Sequence, residues 1–171
     1  MAHSWWRTAA VEVSTRAAYE VFRRSPVRVR RFLIRILTPN YTVGAVAVCE
    51  DAEGRVLLVR SRQHVGWGLP GGLVRRGEAP VDGLAREMAE ELSIAVSPDD
   101  LAFQRRHTIV DPAAQQVTVV VAVTLRDRPV VDGAEIVEAR WFAEADLPTP
   151  LVRGTYESLE ITGVVQPSAA R

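Results

Sequence analysis

The chain has no lysine. All 21 of its Lys-plus-Arg residues are arginines, which excludes Schiff-base chemistry and any step that needs a lysine amine. Cysteine is almost as scarce. Cys49 is the single one, so no internal disulfide can form, and its apolar surroundings predict a small buried hydrophobe. That usage suits a reducing compartment, and the chain is expected to be cytoplasmic. No stretch of about 18 residues is free of charge, which excludes an ordinary transmembrane helix. The first residues also lack the unbroken apolar core of a secretory signal. Net charge is missing as well: 21 acidic residues balance the 21 basic ones, so bulk charge points to no partner.

What is present is an ordinary globular composition with an uneven charge distribution. The 171 residues are 47% hydrophobic and 25% charged, which fits one domain with an appendage. Residues 1–40 hold eight arginines against Glu12 and Glu20, a net +6 that leaves −6 for the remainder. This basic arm has three readings. It packs on the acidic body or on a second copy as a homodimer, it lies on an anionic membrane surface through arginines with Trp5, Trp6, Phe32 and Leu33, or it contacts nucleic acid. Packing or dimerisation is the plainest of the three, and no stable nucleic-acid partner is expected.

The pattern divides the chain into a basic, helical extension over 1–40, a domain over 41–165 and a frayed tail over 166–171. Residues 5–24 read as a helix that ends at Ser25–Pro26. Residues 27–37 fit a helix better than a strand, although they open on a Val-Arg-Val-Arg alternation. From Tyr41 the texture turns to β: TVGAVAVCE and RVLLVRSR flank a turn at 51–54. A glycine-rich loop spans Gly66 to Gly77. A helix follows from about Ala79 to Leu92, with Val81, Leu84, Ala85, Met88 and Leu92 on one arc. Strands are then expected over 102–110, 116–125 and 135–142, and a short helix near 156–160.

Within that helix Glu87, Glu90 and Glu91 stand at i, i+3 and i+4, which puts three carboxylates on one side, away from the apolar arc. Like charges so spaced repel, and a hard divalent cation with oxygen ligands would turn the repulsion into binding. The bland alternative is a solvated helix face.

The surrounding residues resemble the signature of the Nudix hydrolase family, G-x5-E-x7-R-E-U-x-E-E-x-G-U, in which U is a bulky aliphatic residue. Gly72, Glu78, Arg86, Glu87, Met88, Glu90, Glu91 and Ile94 fill their places, while Ser93 replaces the usual glycine. The flanking Trp67–Gly68–Leu69–Pro70–Gly71 and the later E-x-x-E-x-R-W-F over Glu135–Phe142 agree with it. The resemblance covers about residues 41–160. It implies an α/β fold, an α/β/α sandwich around a mixed β-sheet, and hydrolysis of a diphosphate linkage in a nucleotide-like small molecule with Mg²⁺, or with Mn²⁺ in its place.

Carried over residue by residue, the resemblance makes Glu87, Glu90, Glu91 and the Gly72 carbonyl the metal ligands. Arg86, held by Glu78, would orient the carboxylates, and Glu90 or Glu135 would be the general base. Arg60, Arg62, Trp67 and Phe103 are candidates for substrate contact, since guanidinium forks suit phosphate and aromatic rings suit a base. Packing or solvent fits each of these four about as well. Nucleoside triphosphates are slightly preferred over ADP-ribose-like compounds and dinucleoside polyphosphates because the domain is compact. A catalytically silent nucleotide-sensing domain is the rival reading. Serine at position 93 is expected to strain the end of the helix.

Overall fold

The computed structural model describes residues 19–131 and 133–166, with the side chain of Phe103 outside that description. The expected helix over 5–18 and the tail from 167 lie outside the described residues. Residues up to Asn40 form one unit and those from Tyr41 a second. In the first unit residues 19–24 are helical, and helix α1 follows over Val27–Leu37. The ambiguous stretch is thus a helix. Its apolar residues recur at helical spacing, and Pro26 stands just before it, where a missing amide proton costs least.

The second unit is a mixed sheet with helices on both faces. Its strands are β1 (Thr42–Glu50), β2 (Val56–Ser61), β3 (Gly71–Leu73), β4 (Arg106–Asp111), β5 (Gln116–Thr124) and β6 (Ile136–Phe142). The order is β4-β5-β1-β2-β6, with β3 paired to β1. β1 and β5 run parallel in full register from Thr42–Gln116 to Glu50–Thr124, and the other pairs are antiparallel. β1 meets β2 at Glu50–Val56, next to the turn, and their other ends separate. The glycine-rich segment enters that gap, bridging Val59 through Gly68 and pairing Gly71–Leu73 with Val46–Gly44. What reads in the sequence as one long loop is therefore a strand at its centre.

Alternation along the strands supplies two cores. On one face Ala45, Ala47, Cys49, Leu57, Val59 and Val121 pack against Leu84, Ala85, Met88 and Leu92 of helix α2 (Pro80–Leu92) and Leu101 of α3 (Pro98–Phe103). On the other face Val48, Val56, Leu58 and Val120 pack against Leu159 of α4 (Thr155–Thr162). Helix α3 corrects the expectation of a strand opening at Ala102. Ser97 caps it by accepting the Asp99 amide at 3.2 Å, Pro98 takes the first turn, and Asp99 and Asp100 complement the helix dipole.

Burial pushes the Cys49 thiol far up from its ordinary value. The native protein should therefore resist a thiol reagent by a factor on the order of 10³ relative to the unfolded chain. Stoichiometric modification within seconds under native conditions would contradict the placement.

Helix α2 ends on Ser93 in the left-handed region, at φ 55° and ψ 29°. A side chain there costs about 1 kcal/mol that glycine avoids. Ser93→Gly is expected to raise Tm by roughly 4 °C in a thermal melt. An unchanged or lower Tm would show that the turn is relaxed.

Candidate active site

Helix α2 presents its three glutamates unequally. At about 100° per residue, Glu91 lies roughly 20° around the helix from the buried Leu84, Glu87 roughly 60° and Glu90 roughly 120°. Exposure follows that order: Glu91 is 8% exposed, and the side chains of Glu87 and Glu90 are 17% and 53% exposed. The expectation that all three face outward together needs this correction. Glu91 borders the apolar arc and shares its burial.

The paired β3 strand brings the glycines against these carboxylates. Gly71 has φ 132°, and a Cβ there would collide with the Ala45 carbonyl, so only glycine lets the strand lie so close to β1. A Cβ on Gly72 would stand 2.7 Å from Glu87 Oε1, so the absent side chain is the space that the Glu87 carboxylate fills. Gly71 donates its amide to Glu91 Oε2 at 3.3 Å.

Arg86 ties the cluster together. Its Nε donates to Glu78 Oε1 at 3.0 Å, and Nη2 donates to Glu78 Oε2 at 3.3 Å and to the Leu73 carbonyl at 3.4 Å. Nη1 donates to Glu87 Oε1 at 2.7 Å and Glu90 Oε2 at 3.1 Å. Glu78 also accepts the Arg75 amide at 2.7 Å. The Arg86 hydrogen bonds, then the Arg75 amide, hold the Glu78 carboxyl below its usual range. Arg75 reaches Glu90 as well, 3.6 Å from Oε2, and with Arg76 and Glu78 it rims an open groove of about 470 Å³ beside Tyr41, Val43 and Leu73.

Electrostatics brings a further acid into the site. Burial, and then the charges of Glu87, Glu135 and Glu90, push Glu91 up to about 7 against the pull of the Gly71 amide. Glu135, at the entry to β6, is thus near enough for its charge to be felt at Glu91. Its Oε1 accepts a hydrogen bond from Gln63 Nε2 at 2.8 Å.

Among the described residues no three His, Cys, Asp or Glu side chains converge as ligands on one point. Two of the carboxylates point instead at the Arg86 guanidinium, which satisfies them. The donor set nonetheless fits a hard cation. It offers carboxylate oxygens and a glycine strand that a Cβ would obstruct, with a buried acid whose ionised form is disfavoured until positive charge arrives.

Of the four candidates for substrate contact, Arg60 and Trp67 bond away from this cluster, and Arg62 meets it only through its backbone amide, which donates to the Glu135 carbonyl at 3.0 Å. Arg60 pairs with Glu138 at 2.7 Å across β2 and β6, and its guanidinium stands 5.9 Å from the Trp67 ring centroid. Trp67 packs edge-on to Phe142 at 5.0 Å and belongs with the core on the α4 face. Arg62 clips the Gly133 carbonyl through Nε at 3.3 Å and Nη2 at 3.1 Å. Phe103 ends α3, and its side chain lies outside the described residues.

Two residues escape the sequence reading. Gln63, which holds Glu135, gives no sequence signal. Gly83 does: an interior helix glycine costs up to about 1 kcal/mol relative to alanine and calls for a reason. A Cβ there would stand 3.0 Å from Glu78 Oε2, so Gly83 makes room for the carboxylate that holds Arg86.

Comparison with known proteins points the same way. Residues 40–160 match the NUDIX domain family. The crystal structure of a MutT NUDIX hydrolase from Burkholderia pseudomallei is 30% identical and superposes with a TM-score of 0.58, covering 71% of this chain and 97% of that one. An ADP-ribose pyrophosphatase from Streptococcus suis shares the fold at 21% identity and a TM-score of 0.56, covering 78% and 95% of the two chains. A MutT-like protein from Streptomyces ambofaciens is 36% identical over 70 residues, 41% of this chain and 46% of that protein. An octanoyltransferase from Myxococcus xanthus is 32% identical over 130 residues, 72% of this chain but 36% of that protein. The match thus spans less than half the length of either curated relative.

Proposed function

Because this chain belongs to the NUDIX domain family, we propose that it hydrolyses the diphosphate linkage of a nucleotide-like small molecule with the help of a divalent cation. The observation that carries this reading is the convergence of Glu87, Glu91 and the Gly71–Gly72 strand under the Arg86 network. Glu87, Glu90, Glu91 and the Gly72 carbonyl would hold Mg²⁺, or Mn²⁺ in its place. When bound, such a cation neutralises the phosphate oxygens and makes water a better nucleophile.

The chain's own residues then have separate tasks. Glu78 and the Leu73 carbonyl fix the Arg86 guanidinium. Arg86 in turn sets where Glu87 and Glu90 stand, a positioning role that acts through the carboxylates. The attacking water must lose a proton as it adds to phosphorus. Glu90, the most exposed of the three glutamates on α2, and Glu135, held by Gln63, are its two candidate acceptors. Arg75 and Arg76, which rim the groove beside Glu78, offer guanidinium groups for an extended phosphate chain. The products would be two phosphate-bearing fragments, or a nucleotide and pyrophosphate.

Substrate class is tested with a panel of nucleoside triphosphates, ADP-ribose and dinucleoside polyphosphates, with products separated by anion exchange. A nucleoside triphosphate cleaved to monophosphate and pyrophosphate is the expected result. Faster cleavage of ADP-ribose to AMP and ribose phosphate would overturn that preference while keeping the reaction class. Nucleotide-induced thermal stabilisation with no product from any compound would favour the silent, nucleotide-sensing domain.

A further inference from the structure

We infer that helix α1 (Val27–Leu37) is a binding element for the surface of an anionic lipid bilayer. Its sequence, VRVRRFLIRIL, divides by helical angle, with Val27 and Ile34 the two apolar residues outside the main apolar sector. At about 100° per residue, Val29, Phe32, Leu33, Ile36 and Leu37 fall within one sector roughly 140° wide. Arg28, Arg31 and Arg35 cluster on the other side, within roughly 60°. Arg30 stands at the edge of the apolar sector.

That apolar sector is open. The helix has no buried residue, and Phe32, Ile36 and Leu37 are 63%, 60% and 78% exposed. Eleven residues span about 16 Å, far too short to cross a bilayer. Among the described residues no helix is long and apolar enough to do so. The geometry therefore points to a helix lying in the interface.

Charge selects the occupant. From Val27 to Leu37 the sequence holds four arginines, at 28, 30, 31 and 35, and no aspartate or glutamate, whereas Arg23 and Arg24 before it pair with Glu20 at 3.1 and 3.7 Å. An anionic bilayer satisfies both sides of such a helix at once. The apolar sector enters the acyl boundary, and the arginines, whose stems allow the charge to reach back, sit among headgroup phosphates. Two copies pairing through the apolar sector would instead leave Arg28, Arg31 and Arg35 of each helix on the outer side, with no acid of either helix to balance them. The terminal basic stretch noted in the sequence has its most regular amphipathic segment here.

The test uses the full chain in a sedimentation assay with vesicles of phosphatidylcholine alone and with about 30% phosphatidylglycerol. Binding to the anionic vesicles should exceed binding to neutral ones by at least about tenfold at low salt, and it should weaken steeply as salt is raised. Phe32→Glu with Ile36→Glu should abolish it. Arg28→Gln and Arg31→Gln should each weaken it by about fivefold. Both sets lie outside the proposed active site, so hydrolysis in the absence of vesicles should be unchanged. Equal sedimentation with neutral and anionic vesicles would overturn the proposal. So would binding that survives the double glutamate variant. A dimer in sedimentation velocity that this variant dissolves, with no vesicle binding by the parent chain, would assign the face to a second copy instead. None of these outcomes depends on which substrate is hydrolysed.

Discussion

Glu90→Gln is expected to lower kcat by at least about 10² while leaving the fold intact. The two halves of that expectation rest on different observations. Glu90 is half exposed, and its ion pairs with Arg86 at 3.1 Å and Arg75 at 3.6 Å lie at the surface, where such pairs contribute little to stability. Tm should therefore move by no more than roughly 2 °C. Yet Glu90 is the most exposed of the three glutamates on α2, so its charge is available to a cation or to water. Near-normal turnover in the variant would refute the assignment. Glu135→Gln then separates the remaining roles. A loss as large as that of Glu90→Gln places the proton on Glu135, whereas a change under about tenfold leaves it with Glu90.

Arg86→Met should lower kcat/KM by roughly 10- to 100-fold, the usual effect of removing a group that holds the ligands of a metal site. The guanidinium makes hydrogen bonds to three glutamates and one carbonyl, and methionine replaces none of them. Glu78 loses the partner that most depresses its pKa, and Glu87 loses a bond at 2.7 Å. Stability falls with activity, so activity alone does not identify the role. The distinguishing measurement is the Mg²⁺ dependence of the rate: a positioning defect raises the Mg²⁺ concentration needed for half-maximal rate. Arg86→Lys should recover the melting temperature better than the rate, because an ammonium cannot reproduce the planar fork. Full recovery of both by lysine would mean that only charge matters there.

Much of the fold was legible because its signals were local and agreed with one another. The α2 helix shows a 3.6-residue apolar period and ends where expected, and Tyr41 marks the change to β texture. The parts that were not legible depend on distant partners. The glycine-rich segment reads as a loop because glycine lowers strand propensity, yet it pairs because glycine alone lets it enter between β1 and β2. Helix α3 was hidden by the strand-like run that follows it, although Ser97–Pro98–Asp99 is itself a start signal. At the candidate site the box residues were legible from their spacing. The burial of Glu91 follows from its small angle to Leu84, which the i, i+3, i+4 spacing of the acids does not display by itself. The hydrogen bond from Gln63 to Glu135 joins residues 72 positions apart, a distance over which sequence carries no signal for a single pair.

Cation-dependent hydrolysis is the role proposed for the carboxylates on α2, set against a glycine strand. It is tested most directly by following the release of phosphate-bearing products from the best compound of the panel, first in EDTA and then with excess Mg²⁺ restored. Release should be unmeasurable in EDTA, recover fully with Mg²⁺, and fail to recover in Glu90→Gln. Equal rates with and without the cation, or nucleotide binding with no turnover at any Mg²⁺ concentration, would contradict it.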